Sequence, residues 1–338
     1  MHMIMRYLSW PISILLIFML LSCRQQREGD RRENQTEAPV QGLKIHRYEQ
    51  ALFGLDLLHL RDGLTGLMPE YGFFLGYESP DTASLMRMRT YLEDSLTSLL
   101  FRETQRLFPR MDSVEIALSE AMQRHSKHFP ADSAPRVFTY ISGLDYEAPV
   151  RLVDSVMIIA LDMYLGKDSP VYRQLGLPEY RCQAFDPVNL VPDCMKQMAY
   201  RHLRGERHER TLLDWMVLQG KVLYYLDQVL PSTPDYVKIT YSPEQYDWVR
   251  ENEAKTWAFL IANKLLYTTD SRDITRFMAE APFTKGLPKE SPGRTGWWIG
   301  WQIVRKYMEK NRDVSMKALF DQADARQILN LSAYKPAR

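Results

Sequence analysis

The sequence has few of the residues that most often bind metals or cross-link exported proteins. It contains three cysteines and seven histidines among 338 residues, and no Cys-x-x-Cys pair occurs. This scarcity excludes zinc ribbons and disulfide-dense scaffolds, which depend on repeated cysteines. Beyond the first 23 residues the cysteines are Cys182 and Cys194. In an exported protein they could form a disulfide that closes a short loop, or they could remain as buried thiols.

The sequence also lacks an excess of either charge. It has 43 basic and 42 acidic residues. Because binding to a phosphate backbone requires clustered positive charge, no nucleic-acid partner is expected.

A hydrophobic run long enough to cross a membrane is missing as well. The longest mostly apolar stretch follows Arg6 and covers about a dozen residues, whereas a membrane-spanning helix needs about twenty. It ends at Leu20-Leu21-Ser22-Cys23, which resembles the lipobox where bacterial lipoproteins are cleaved and acylated. We therefore predict a lipoprotein signal peptide over 1–22 and a membrane anchor through lipid on Cys23. The alternative is an ordinary signal peptide with an incidental cysteine.

The chain from Cys23 onward divides into two segments. Residues 23–41 are rich in Arg, Glu, Gln and Asn and have almost no large apolar side chains. Such a segment cannot bury enough surface to fold, so we predict a disordered tether. Residues 42–338 are apolar and aromatic enough for a large folded domain.

Short β-branched or apolar runs predict a small β-sheet in the first half of this domain. We expect strands at about 44–48, at Val137–Ile141 and at Val156–Leu161, the last central in its sheet. The chain beyond about Asp193 has helical periodicity. The expected fold class is therefore α+β, mostly helical, with a small sheet followed by a helical bundle.

Local signals predict where several helices begin and pack. Leucines at 85, 92, 96 and 99, with Met88, recur at three- and four-residue steps along one helix face. The spacings Asp112-x-x-Glu115 and Ser242-x-x-Gln245 each predict a capping box, and the second helix is expected to run to about Tyr267 with Ile261 inward. Gly293, Gly296 and Gly300 predict a close approach of another backbone.

Several segments, spread in order over about 200 residues, resemble the gliding motility lipoprotein family GldB. They are Ile159–Gly166, Gly220–Tyr224, Tyr241–Gln245 with Asn252–Glu253, Leu266–Asp270, Ser291–Trp301 and Tyr334–Pro336. The resemblance implies a Bacteroidetes-type envelope lipoprotein that supports gliding motility or the associated secretion apparatus. Its partners would be envelope proteins of that machinery. The resemblance carries over no catalytic residues.

The layout also resembles, more faintly, predicted zinc peptidases that place His-Glu-x-x-His on a helix and Glu-Gly on the next one. In that motif two histidines one turn apart bind zinc while the glutamate activates water. Here Cys194–Met198 falls in the His-Glu-x-x-His window, and Gln219-Gly220 falls in the Glu-Gly place. The ligands are missing, so we expect a zincin-like layout without a metal or other cofactor, and no enzyme activity.

Other histidines could imitate a metal site. His208-Glu209 is half of the peptidase motif, but the position four residues after His208 is Leu212, so a polar surface turn is expected. His125 and His128 share a helix face. No third ligand is evident near them in the sequence, so we expect no metal there either.

Charged and aromatic residues on apolar helix faces form the candidate site. Lys221 and Glu253 lie on such faces and should point inward, where an unpaired charge is costly, so we expect them to pair with each other or with Asp162, which ends the predicted central strand. Such an ion cluster could lock the bundle onto the sheet, or it could line a polar pocket. Arg294 and three tryptophans, Trp297, Trp298 and Trp301, could form the wall of that pocket or fill the core.

Three functions remain open at this level. The first is a non-catalytic scaffold or interaction role, with the protein facing the periplasm from the outer membrane in preference to the inner one. The second is an envelope hydrolase, and the third is a peptide- or glycan-binding module that uses the degenerate peptidase cleft.

Overall fold

Four short strands form a mixed β-sheet. In the computed structural model, which describes residues 42–76, 80–203 and 210–336, the strands are β1 (Ile45–Arg47), β2 (Arg136–Tyr140), β3 (Val150–Val153) and β4 (Val156–Ala160). Their order is β1-β2-β4-β3. β1 is parallel to β2 and β2 to β4, whereas β3 is antiparallel to β4. The prediction that the 156–161 strand is central is confirmed, whereas β3 was not predicted.

Both faces of the sheet are covered. Phe138 belongs to a small core formed with the helices that precede β2, while its neighbour Val137 and the β4 residues Met157 and Ile159 belong to the main core. Alternate residues of a strand point to opposite faces, which explains the division. The sheet therefore lies between two groups of helices.

Five helices connect β1 to β2. They are α1 (Tyr48–Phe53), α2 (Leu60–Leu75), α3 (Thr82–Glu93), α4 (Ser95–Leu107) and α5 (Asp112–His128). The predicted leucine face is divided between α3 and α4, because Asp94 ends one helix and caps the next through the backbone N of Thr97.

The capping box predicted at Asp112 is wrong. Met111 is the N-cap residue of α5 and makes no side-chain cap. Glu115 instead accepts a hydrogen bond from the backbone N of Ile45 at 2.8 Å. The acidic side chain thus holds β1 to α5 rather than capping its own helix.

Eleven helices follow the sheet in the described part of the chain, consistent with the predicted mostly helical second half. They are α6 (Pro170–Gln174), α7 (Glu179–Cys182), α8 (Leu190–His202), α9 (Leu212–Val229), α10 (Asp235–Lys238), α11 (Pro243–Glu251), α12 (Glu253–Ala262), α13 (Ser271–Met278), α14 (Thr295–Lys310), α15 (Met316–Asp321) and α16 (Ala325–Ser332).

The capping box at Ser242 is confirmed, with Gln245 bonding back to the backbone N of Ser242 at 3.0 Å. The long helix expected beyond it is wrong. The chain breaks at Asn252 and helix α12 ends at Ala262. Ile261, expected to point inward, is 49% exposed.

Helix α9 is central to the bundle and crosses α14 closely. Gly220 of α9 packs against the backbone of Gly300 in α14, and Gly300 packs against the backbone of Met216. A Cβ atom at either glycine would overlap those backbone atoms. The close approach predicted for the glycines near α14 is confirmed, and Gly220 is its counterpart on the facing helix.

Residues 43–338 cluster into one compact unit. The predicted signal peptide, the tether and Cys23 lie outside the described residues. Among the residues that are described, no helix combines the length and apolar character needed to cross a bilayer.

Candidate functional site

A cleft of about 490 Å³ opens between strand β3 and helix α8. The segment around β3 forms one wall, one face of α8 forms the floor, and residues at the start of α14 form the far side. Within the described sheet, β3 is an edge strand and pairs with β4 alone.

Helix α8 presents charged and polar side chains to this cleft. Asp193, Lys196 and Gln197 line it together because residues three and four apart share a helix face. Lys196 Nζ donates to Asp193 Oδ1 and to Thr240 Oγ1, each at 3.0 Å. The Tyr164 hydroxyl donates to Asp193 Oδ2 at 2.9 Å. The lysine and the carboxylate are thus held in fixed positions by each other and by their neighbours.

Cys194 and Met198, which fall in the places of the two histidines of His-Glu-x-x-His, do not face the cleft. Cys194, Met195 and Met198 are buried in the main core. The residues of α8 that face the cleft are Asp193, Lys196 and Gln197. The pair that lies one helical turn apart on the cleft side is therefore Asp193 and Gln197, and not Cys194 and Met198. Neither histidine nor cysteine occurs among the described residues that line the cleft.

Arg294 and Trp297 form part of the wall of this cleft, which none of Asp162, Lys221 and Glu253 lines. Arg294 donates from Nη2 to the backbone O of Thr240 at 2.9 Å, and its Nη1 lies 3.5 Å from Glu280 Oε1. Its guanidinium also lies 5.0 Å from the centre of the Trp297 ring. An arginine stacked on an aromatic face is a common element of peptide- and sugar-binding surfaces.

The other two tryptophans fill the core, which is one of the two alternatives that the sequence left open. Trp298 and Trp301 are buried. Trp301 donates from Nε1 to Asp227 Oδ2 at 3.0 Å, and the Arg305 guanidinium lies 3.8 Å from its ring centre. Their positions on α14 face α9 and α12, away from the cleft.

The predicted pairing of Asp162, Lys221 and Glu253 is wrong, because each has different partners. Asp162 accepts hydrogen bonds from the backbone N of Ser142 at 2.9 Å and from the backbone N of Leu144 at 2.8 Å. Burial raises the pKa of Asp162, although these hydrogen bonds oppose the shift. The carboxylate therefore holds the loop after β2 to the end of β4.

Lys221 and Glu253 bond to the C-terminal part of the chain. Lys221 Nζ donates to the backbone O of Gln322 at 2.5 Å, and burial lowers the pKa of Lys221 to about 8. Glu253 accepts from Trp298 Nε1 at 2.9 Å and from the Tyr334 hydroxyl at 2.8 Å. Burial raises the pKa of Glu253, with those two hydrogen bonds acting in the opposite direction.

An ion network that was not predicted does lock part of the bundle. Arg305 makes a two-point contact with Asp227, at 2.7 and 2.8 Å. Lys238 Nζ lies 2.9 Å from Asp227 and 3.2 Å from Asp235, and Asp235 also pairs with Arg305 at 2.8 Å. The spacing of Asp227 on α9 indicated an inward carboxylate, but its partners come from α10 and α14 and could not be assigned from spacing.

The two remaining cysteines are free buried thiols. The sequence left open a disulfide or two buried thiols, and the structure has the two thiols. Burial raises the pKa of the Cys194 thiol well above its usual value. A thiol in that state is a packing group and a poor nucleophile.

A second polar cluster, of metal-ligand type, lies at the ends of helices α5 and α8. His125 Nε2 and His202 Nε2 approach the same oxygen, Asp132 Oδ2, at 3.1 and 2.8 Å. One potential ligand atom from each side chain lies within 4.8 Å of the others. The expectation that no third ligand lies near His125 in the sequence is wrong, because Asp132 is seven residues away. His128, which shares a helix face with His125, is not part of this cluster. His208-Glu209 lies outside the described residues.

The fold and the cleft together define a class. This is a mostly helical α+β protein in which an edge strand and a polar helix face frame a groove, and the described residues that line this groove include no histidine or cysteine. The sequence profile of the family described as gliding motility protein GldB matches residues 29–336. The chain belongs to this family, which places it among gliding-motility-related proteins.

Neither the curated proteins nor the solved structures contain a match to the chain.

Proposed function

We propose that the protein is a lipid-anchored envelope component that supports gliding motility or the associated secretion apparatus by holding a partner, not by cleaving one. Family membership supports the link to motility. The observation that carries the contact role is the cleft beside β3, with its fixed charged groups and open strand edge.

The open edge of β3 suits an extended segment of a partner protein. An edge strand presents backbone N–H and C=O groups that can pair with an added strand. The groove beneath offers both signs of charge, from Asp193 and Lys196 on α8 and from Arg294 and Glu280 opposite. Main-chain pairing would supply affinity, and these side chains would select the partner's sequence.

The same contacts favour binding over hydrolysis. Asp193 already accepts hydrogen bonds from Tyr164 and Lys196, and Lys196 also donates to Thr240. A general base must instead be free to reach the proton of an attacking water. The role of these residues in our proposal is therefore to bind and position.

The alternative is an envelope hydrolase, or a peptide- or glycan-binding module, acting through the same cleft. The presence of more than one carboxylate in the groove, among them Asp193 and Glu280, is what favours it. Paired carboxylates are the usual catalytic groups for glycoside hydrolysis.

Membrane attachment through Cys23 is the first point to test. Replacing Cys23 with Ser removes the thiol to be acylated, so the variant should move from the membrane fraction to the soluble fraction of fractionated cells. We propose that the wild-type protein is in the outer membrane and faces the periplasm, because Arg24 replaces the Asp that commonly signals inner-membrane retention. Equal membrane recovery of both proteins would contradict lipid anchoring.

Blocking the cleft tests the contact role. In a strain that lacks its own copy, Gln197→Trp should fill the groove and abolish support of colony spreading or of secretion, because the partner can no longer enter. Lys310→Trp is the matched control at the exposed far end of α14 and should restore both. A Gln197→Trp protein that accumulates normally and supports full function would contradict the proposal.

A carboxylate variant separates binding from hydrolysis. Glu280→Gln keeps the shape of the side chain and removes its charge, so a protein that only binds its partner should bind it more weakly without any accumulation of uncleaved envelope peptides or glycan. Loss of function together with accumulation of uncleaved envelope peptides or glycan would favour the hydrolase.

A further inference from the structure

Three side chains of metal-ligand type converge although they come from separate elements. His125 lies in the last turn of α5, Asp132 lies in the following loop, and His202 is the last residue of α8. The His125 side chain is fully buried, while Asp132 and His202 are 13% and 21% exposed. A group with this arrangement is closed toward the core and reachable from one side.

The spacing of the ligand atoms suits a small divalent ion. In a tetrahedral zinc site with bonds of about 2.0–2.1 Å, neighbouring ligand atoms lie about 3.3 Å apart. The two imidazole Nε2 atoms lie 3.1 and 2.8 Å from Asp132 Oδ2. All three ligand atoms lie within 4.8 Å of one another, so rotation of these side chains could bring them to the spacing that an ion requires.

The surroundings resemble the outer shell of a metal site. The Tyr225 hydroxyl lies 2.8 Å from His125 Nδ1 and so fixes the ring with Nε2 toward Asp132. The Phe129 ring stacks on His202 with a centroid separation of 3.9 Å. Partners that orient the ligating histidines, and apolar groups that limit water, are the features by which proteins tune bound metals.

From this geometry we propose that His125, Asp132 and His202 bind one divalent transition-metal ion, with zinc as the best fit. Two neutral imidazoles and one carboxylate would leave a fourth position for water or a ligand. The ion would tie the end of α5 to the end of α8. This site is separate from the cleft, whose lining includes none of the three residues.

The protons can be accommodated in both states. Without an ion, each Nε2–H can donate to Asp132, and His125 Nδ1 can accept from Tyr225. With an ion, each Nε2 offers its lone pair, and the proton of His125 moves to Nδ1. The Tyr225 hydroxyl then accepts instead of donating, which a hydroxyl can do by rotation.

Metal titration of the full-length protein tests the proposal. After purification in detergent and removal of metal with a chelator, the wild type should bind one equivalent of Co²⁺ with visible absorption bands, and Zn²⁺ should displace it. Asp132→Ala and His202→Ala should each lower the affinity by at least about 100-fold, because each removes a ligand. Tyr225→Phe keeps the ring and should lower the affinity about 10-fold.

His128→Ala is the matched control, because it removes a histidine of the same helix that is not in the cluster. It should bind Co²⁺ as the wild type does. Circular dichroism of the metal-free proteins establishes whether the variants are folded. If an alanine variant does not fold, the affinity of Tyr225→Phe still tests the site independently. Substoichiometric binding by the wild type, or equal affinity in folded His202→Ala, would overturn the proposal and leave a carboxylate bridging two imidazoles.

Discussion

Asp162, Lys221 and Glu253, the three inward charges considered from the sequence, are stabilised by neutral hydrogen-bonding groups and not by one another. Asp162 binds the loop after β2, and Glu253 binds an indole and a phenol. A buried charge needs such partners because burial alone removes its hydration. That these residues point inward was predictable from their positions. Their partners were not, because the partners come from segments that are distant in sequence.

Lys221 gives a prediction at this scale because its pKa is lowered to about 8 by burial. In the unfolded chain Lys221 has its ordinary pKa of 10.5. Between pH 8 and 10.5 the unfolded chain therefore keeps a proton that the folded protein has released. The unfolding free energy of the wild type should therefore rise relative to Lys221→Met, by about 1–2 kcal/mol between pH 8 and 9.5. Denaturant titrations at each pH would measure it.

Lys317 provides the control, since its side chain is 70% exposed and its removal relieves no burial. Lys317→Met should show the pH dependence of the wild type. The wild type's unfolding free energy minus that of Lys221→Met should rise over this pH range. A difference that stays constant or falls would contradict the account of Lys221.

Helix boundaries and crossings show which element-level features are encoded locally. The capping box at Ser242 was predictable because its groups lie within four residues. The breaks at Asp94 and Asn252 were not, because the apolar pattern continues across both. The short strand β3 was missed although Val-Arg-Leu-Val alternates between buried and exposed positions, because four residues are the shortest run in which such a pattern can be recognised.

The crossing of α9 and α14 gives the second prediction. A Cβ atom at Gly300 would overlap the backbone O of Met216, and neither backbone can move without disturbing the core. Gly300→Ala should therefore lower the unfolding free energy by about 3 kcal/mol or more. Thermal or denaturant unfolding measures the change.

Gly66 is the matched control within a helix. It is exposed in α2, and no atom lies within 4 Å of where its Cβ would be. Gly66→Ala should raise stability by about 0.5–1 kcal/mol, because alanine favours the helix more than glycine does. Stability changes of the same sign and size at both positions would contradict a tight helix crossing.

At the scale of the whole molecule, the fold combines a small mixed sheet and many helices with a polar groove between strand β3 and helix α8. The α+β class and the order of sheet and bundle followed from hydrophobic periodicity. The cleft could be located only in part, because Arg294 and Trp297 were expected in the wall of a pocket but Asp193, Lys196 and Glu280 were not. Those residues meet only after β3 and α8 pack together.

Crosslinking in living cells tests the central claim most directly. A photoreactive residue at Gln197 lies in the cleft, whereas one at Lys310 lies about 20 Å away along α14 from the cleft-lining Trp297. We expect Gln197 to give one reproducible adduct with a protein of the motility or secretion machinery, and Lys310 to give none. Adducts only with cell-wall fragments or cleaved peptides at Gln197, or the same adducts at both positions, would contradict a cleft that works by holding a protein partner.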